Sequence, residues 1–385
     1  MADPSVVGGA DIRGARGRFP ATADRAYFNT AAVGLASRWL AESVHGFVDE
    51  WTSVGLDVSR GEQAGEASRS MVAKLIGAEA CDVALISSVS AAAGLVAAQF
   101  GAAGSGANVV IGQREYSSNH FPWRQLAKRG YDVRQVPFRN GGLEPEDVSD
   151  HVDAGTRLVA FSGVQTATGH RSDIAAISGV ARRVGAIVFV DGSQLVGALP
   201  VADDLQHVDV LVAPDHKFLL HAGRGMGYCY LSQQAQERFT PINAGWKAGA
   251  VPFDSFFGPH MVLSPTASRF DNSISWLAAV GNQAALAAFD HFGFEAIYAR
   301  NRELATKLRA ALDHAGWHPI ELPEPNHSTI VSVPIGDLPP SRLLRALSQQ
   351  KVICSVRDGY LRAAAHFYNH EDDIERLAST LNSVT

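Results

Sequence analysis

Seven short runs of apolar, mostly β-branched residues mark the first 232 positions: VALIS (83–87), VVI (109–111), DVRQVPF (132–138), RLVAFS (157–162), AIVFV (186–190), DVLVA (209–213) and GYCYLS (227–232). Most are apolar almost throughout, with no polar alternation, so they predict strands buried on both faces of a sheet. Helix-length segments separate them, which predicts crossovers of a mostly parallel sheet. Helix starts fall where that reading needs them. Ser118 or Asn119 is placed to cap PWRQLAKRG, and Asp173 to cap IAAISGVARRVG, whose Arg182 and Arg183 sit at the negative end of the helix dipole.

From about Asn282 the pattern changes to one long alanine- and leucine-rich helix. A strand (STIVSVPI), a helix (SRLLRALSQQ), two short strands around Arg357-Asp358-Gly359 and a closing helix from about Glu371 follow. The expectation is a three-layer α/β domain with a smaller C-terminal α+β domain, divided as an arm at 1–30, a large domain at 31–265 and a small one at 266–385. The Pro/Gly-rich, aromatic stretch from Thr240 to Pro265 is expected to be the connector or a site loop.

At 385 residues the chain is long enough for a large core and a second lobe. Its formal net charge of −6 and the lack of a basic cluster give no electrostatic reason to expect nucleic acid or an anionic membrane as partner. Cys81, Cys229 and Cys354 form no paired framework, which suits a reducing compartment. No apolar stretch approaches the roughly 18 residues of a membrane span, and the N-terminus lacks a signal-peptide core. The expected setting is the cytoplasm. The fourteen histidines show no ligand spacing, so no metal is expected.

In open α/β sheets ligands bind beyond the carboxyl ends of the strands, so the residues after each run carry the chemistry. AIVFV closes in Asp191, and a carboxylate there needs a cationic or hydrogen-bonding partner. Twenty-six positions later Lys217 follows His216 behind another buried run, in a chain with only six lysines. An amine for a Schiff base and an anion for a pyridine nitrogen are the needs of a pyridoxal phosphate site. Gln194 is placed to bond the ring's phenolic oxygen. After VALIS, the small residues Ser88-Val89-Ser90 open a helix whose amides suit a phosphate, with the Ser90 hydroxyl as a further donor. After VVI, Tyr116 offers a ring to stack on a planar cofactor. Taken singly, each of these last two features is more often plain packing.

Together these elements resemble the fold-type I pyridoxal phosphate enzymes of the class V aminotransferase group, which includes cysteine desulfurases, isopenicillin N epimerase-like proteins and C–S lyases. The resemblance runs from Tyr27-Phe28-Asn29-Thr30-Ala31-Ala32 to Leu361-Arg362-Ala363-Ala364-Ala365-His366-Phe367-Tyr368-Asn369. It implies that Lys217 forms the imine with pyridoxal 5′-phosphate, Asp191 holds the ring nitrogen, Gln194 and Thr166 lie near the phenolic oxygen, and His216 with Val89-Ser90 holds phosphate. It further implies that Arg362 grips the substrate carboxylate, with Asn29 as a further substrate contact. Trp246 and its neighbours Phe253, Phe256 and Phe257 are placed either to wall a substrate pocket or to pack the connector. A homodimer with shared active sites is implied too, Ser273 being the residue expected to reach the partner's phosphate.

Three departures shape the expected reaction. Tyr116 stands where relatives have a histidine between glutamate and Ser-Asn, and a phenol is a poor base at neutral pH, so proton transfer falls to Lys217. Val89 and Pro214 replace hydroxyl residues of the phosphate end. The only cysteine in the region where a desulfurase carries its thiol is Cys354, in KVICSV, where Val352, Cys354 and Val356 are expected on one buried strand face. The expected activity is therefore C–S β-elimination on a cysteine S-conjugate or related amino acid. An aminotransferase or decarboxylation-dependent deaminase of a specialised, antibiotic-type metabolite is the alternative, and a non-catalytic scaffold the remote one.

Overall fold

The structure is a computed structural model that describes residues 11–221, 223–258 and 260–384. Its strands are β1 (Ala26–Tyr27), β2 (Val83–Ile86), β3 (Asn108–Gly112), β4 (Asp132–Val136), β5 (Thr156–Ser162), β6 (Ile187–Asp191), β7 (Val210–Pro214), β8 (Gly227–Leu231), β9 (Ile330–Pro334), β10 (Val352–Ile353), β11 (Ser355–Arg357) and β12 (Tyr360–Ala364). All seven apolar runs become neighbours in one sheet of order β2-β8-β7-β6-β5-β3-β4. The pairs from β7 through β6, β5 and β3 to β4 are parallel, whereas β8 runs antiparallel to both β7 and β2.

Alternate residues of each run enter two different cores. Leu85, Val110, Val159, Val188, Val190 and Leu211 pack on one face with the Val58–Ile76, Ile174–Arg182 and Trp276–Phe292 helices. Ala84, Val109, Ala160, Phe189, Val210 and Val212 pack on the other with the Val89–Ala98 helix and Trp123. A sheet covered on both faces has no use for polar alternation, which is why the runs read as continuous. A third core lies under the antiparallel sheet β11-β12-β9, between the Phe294–His314, Pro340–Gln349 and Glu371–Asn382 helices. The N-terminal β1 pairs with β10 rather than with the large sheet.

Several local expectations change. The helix expected from Asn282 is two helices, Trp276–Phe292 and Phe294–His314, broken at Gly293, whose φ of +82° no other residue adopts as cheaply. Asp173 does cap its helix through the Ala176 amide. Neither Ser118 nor Asn119 caps the next one: Ser117–Asn119 is a 3₁₀ turn, and His120 holds the capping position of Phe121–Arg124 without a side-chain bond. Cys354 falls between β10 and β11, which belong to different sheets, so the alternation expected for Val352, Cys354 and Val356 breaks there.

Where the connector rejoins the sheet, a buried ion pair sets the register. Arg69 grips both oxygens of Asp271 at 2.6 and 3.1 Å, and Asp271 accepts the Leu85 amide of β2 at 2.8 Å. Both side chains are almost fully buried. Removing one partner leaves the other charge without compensation, so Asp271→Ala is expected to cost about 3–5 kcal/mol, measured as a lower urea midpoint.

Candidate active site

The segments beyond the carboxyl ends of β2, β3, β6 and β7 converge on one cavity of about 120 Å³, lined among others by Asp191, Lys217, His216, Tyr116, Val89 and Arg224. β6 ends in Asp191, which is 3% exposed. Its Oδ1 accepts the Ser193 amide at 2.8 Å, and no salt bridge to it is formed among the described residues. Lys217 lies three residues beyond β7, and its Nζ is 5.5 Å from the centre of the Tyr116 ring. Burial pushes the amine down to about 8, a shift that Asp191 opposes and that Arg362 and Arg224 reinforce. His216 is partly buried, with Nδ1 3.3 Å from Asp215 Oδ1. Asp215 is fully buried and also contacts Asn282 and His221.

One wall of the cavity is the start of the Val89–Ala98 helix. Ser88 caps it by accepting the Ala91 amide at 3.1 Å, and Ser87, Ser88 and Val89 form the cavity wall. Ser90, expected to donate there, is exposed instead, its hydroxyl 3.1 Å from that of Ser88.

Tyr116 is 47% exposed, and its loop is fastened from behind by Glu115. The Glu115 carboxylate is buried and accepts from the Ser162 amide (2.9 Å), the Ser162 hydroxyl, Gln165 Nε2 (2.8 Å) and Asn119 Nδ2 (3.3 Å). Burial, with help from Asp191, still pushes its carboxyl up to about 7 against those donors.

Beside the cavity stands a second cluster. Thr166 Oγ1 accepts from Gln194 Nε2 at 2.8 Å and from Arg362 Nη1 at 2.9 Å. Gln194 Nε2 also donates to the Ala31 carbonyl, leaving its buried Oε1 without a partner. Arg362 is 2% exposed, its Nε has no partner, and no carboxylate pairs with it among the described residues. Burial lowers its guanidinium to about 10. Asn29 bridges to Ala364, two residues from Arg362, and its Oδ1 is likewise unpartnered. The N-terminal segment reaches this point because Gly34 passes over the Lys217 carbonyl, where a Cβ would lie 2.4 Å from that oxygen.

Trp246 packs on Phe253 and Phe256 in the connector and does not line the cavity. Ser273, expected at a partner's phosphate rather than in this cavity, is exposed. Arg224 and Ser193, not singled out from sequence, do line it. Arg224 lies inside Gly223-Arg-Gly225-Met-Gly227, a glycine-rich turn whose sequence by itself signals only backbone. No group of residues suited to a metal occurs among the described residues, and no helix among them is long and apolar enough to cross a membrane.

The arrangement fits pyridoxal phosphate: a buried carboxylate without a cation for the ring nitrogen, a buried amine of lowered basicity for the aldehyde, and a helix start for the phosphate. Residues 57–377 match the family model "Aminotransferase class-V". The chain is 28% identical over 404 aligned positions to isopenicillin N epimerase of Streptomyces clavuligerus, covering 98% of this chain and 99% of that protein. It is 27% identical to a probable cysteine desulfurase of Methanothermobacter thermautotrophicus, with 82% of each chain covered. A solved structure of the cystine C–S lyase C-DES with cysteine persulfide superposes with a TM-score of 0.84 at 20% identity, over 94% of this chain and 99% of that one. The chain therefore belongs to the class-V aminotransferase family and is a pyridoxal 5′-phosphate-dependent enzyme.

Proposed function

We propose that the enzyme cleaves the C–S bond of a cysteine S-conjugate by β-elimination, releasing a thiol, pyruvate and ammonia. The β11–β12 hairpin is the observation that carries this reading. Asp358 and Gly359, at φ +53° and +82°, turn the chain directly from Arg357 to Tyr360, so no loop extends from the hairpin. Cys354 is the only cysteine near it, and burial pushes its thiol up to about 12. A desulfurase attacks the substrate sulfur with a thiolate on a reaching loop, and neither the loop nor the thiolate is present here. Elimination needs only a base at Cα and a leaving group at Cβ.

The residues divide that work. Arg362, desolvated and without an anion, suits the substrate α-carboxylate, which its planar fork takes with two parallel bonds. Thr166 holds Nη1 in place through both its carbonyl and its hydroxyl. Asp191 would face the ring nitrogen and keep it cationic, Gln194 and Thr166 would flank the phenolic oxygen, and His216 with the Ser88–Val89 amides would hold the phosphate. Bound pyridoxal phosphate supplies the electron sink that makes the Cα–H acidic. Lys217 Nζ, whose basicity burial lowers to about 8, would take that proton and pass one to the departing thiolate. Tyr116 closes the face of the pocket above Nζ as an apolar wall.

Incubation with cysteine S-conjugates is expected to yield pyruvate, ammonia and the free thiol in equal amounts; an amino-acceptor product without pyruvate would reject the reading in favour of transamination.

Two residue-level outcomes follow. The amine of Lys217 gains its nucleophilic form as pH rises, so covalent capture of the cofactor at Lys217, trapped with borohydride and located by peptide mass spectrometry, is expected to accelerate to a midpoint near 8. Asp191→Asn removes the charge that holds this pKa up and is expected to lower the midpoint. Arg362→Lys is expected to raise KM for amino-acid substrates roughly 10- to 100-fold while leaving cofactor capture intact, because an ammonium cannot reproduce the paired bonds.

A further inference from the structure

A phosphate monoester carries a charge of about −2 at neutral pH, and a site that withdraws it from water must answer that charge. At this cavity two side chains that would offer hydroxyls are missing, since Val89 and Pro214 both line the wall with carbon. The Ser88 hydroxyl is already used as a helix cap. His216 turns its Nδ1 onto Asp215, a fully buried carboxylate, so only its other ring nitrogen is left to face the site. Helix-start amides alone contribute partial charges.

Arg224 is the one arginine that lines this cavity. Among the described residues it makes no ion pair and no hydrogen bond, whereas the Asp191 carboxylate and His216 at the same cavity each have a neighbour. The following residue, Gly225, has φ +140° and lies beside the start of the Trp276–Phe292 helix, where an added Cβ would make ordinary contacts of 3.5 Å to Ser275 and 3.6 Å to Ala278. Arg224 and Gly225 line the same cavity as Ser87, Ser88 and Val89. Arg224 also acts electrostatically on Lys217, so its charge is felt inside the site.

We propose that Arg224 is the residue that grips the cofactor's phosphate, its guanidinium replacing in this chain the hydroxyls absent at Val89 and Pro214. The planar fork matches two phosphate oxygens at once, which two single hydroxyls would otherwise share. The inference rests on the cofactor assignment and adds a residue to it.

Cofactor affinity separates the two. Purified full-length enzyme, stripped of cofactor, is titrated with pyridoxal 5′-phosphate and, in parallel, with pyridoxal, which keeps the aldehyde and ring but lacks the phosphate. Arg224→Ala is expected to weaken binding of the phosphorylated form roughly 10- to 100-fold and to leave pyridoxal unchanged, with Arg224→Lys between wild type and alanine. The phosphorus resonance of the bound cofactor is expected to shift in both variants. Equal weakening of both ligands would show that Arg224 only supports the fold, and unchanged affinity for both would place it at the substrate mouth; either result overturns the proposal. Should Arg224→Ala not fold, Arg224→Gln and Arg224→Lys carry the same comparison. If wild-type protein captures neither ligand at Lys217, the cofactor assignment itself fails, a result distinct from any outcome confined to the variants.

Discussion

Asp191 is a carboxylate withdrawn from water at the end of a central strand with a single backbone amide for company. Burying such a charge costs several kcal/mol unless something positive meets it. The sheet makes the burial unavoidable: β6 is flanked by β5 and β7 and covered by a core on each face, so whatever follows Val190 is enclosed. The fold therefore creates a demand for a cation at one point, and Lys217, one strand over, is prevented by its own desolvation from being a fully committed answer. That mutual frustration is useful. An amine paired tightly with a carboxylate would be a poor nucleophile, whereas an amine near 8 can exchange partners.

The rest of the site is built to hold this arrangement from several directions. Thr166 lies on the turn after β5 and joins Gln194 of the large sheet to Arg362 of β12 through one hydroxyl. The same turn is stitched to the small lobe by Ser328 and Ser332, which donate to the Gly169 and Ala167 carbonyls. At the mouth, Arg114 pairs with Asp358 on the hairpin tip, joining the loop that bears Tyr116 to the strands that bear Arg362. Gln194, Arg362 and the loop that bears Tyr116 are thus tied to one another through Thr166 and the Arg114–Asp358 pair.

The large sheet was legible from the sequence because strands buried on both faces write themselves as unbroken apolar runs, and all seven were found within a residue or two. The direction of β8 was not legible. A strand enclosed on both sides carries no record of which way it runs, and Gly227–Leu231 could have been read as another parallel strand. The break at Gly293 was missed because alanine and leucine continue on both sides of it, so one glycine looked tolerable. Asp191 and Lys217 stood out because each is a charged residue closing a run that excludes charge. Arg224 and Gly34 did not, since an arginine between glycines and a glycine in a turn have ordinary structural explanations. Only the cavity that Arg224 lines and the Lys217 carbonyl that Gly34 crosses distinguish them. Trp246 erred the other way: an aromatic in a loop of suitable position proved to be packed on its own connector.

Glu115 and Asp191 show why burial alone does not mark a ligand-binding carboxylate. They stand close together, since Ser162, which donates to Glu115 twice, is the register partner of Asp191 across β5 and β6. Glu115 has four donors from three residues, and its titration near 7 marks a group whose demands are met within the protein although desolvation still weighs on it. Asp191 has one donor and faces the cavity. Adjacent acids of equal burial thus have opposite solutions, one closed and one open. The closed acid fixes the loop that sets Tyr116 over Lys217, and the open acid is left to a positive group from outside the chain. A protein that kept this fold only as a scaffold would have no reason to leave Asp191 and the Arg362 guanidinium both uncompensated, because closing either with a neighbouring side chain would stabilise the native state.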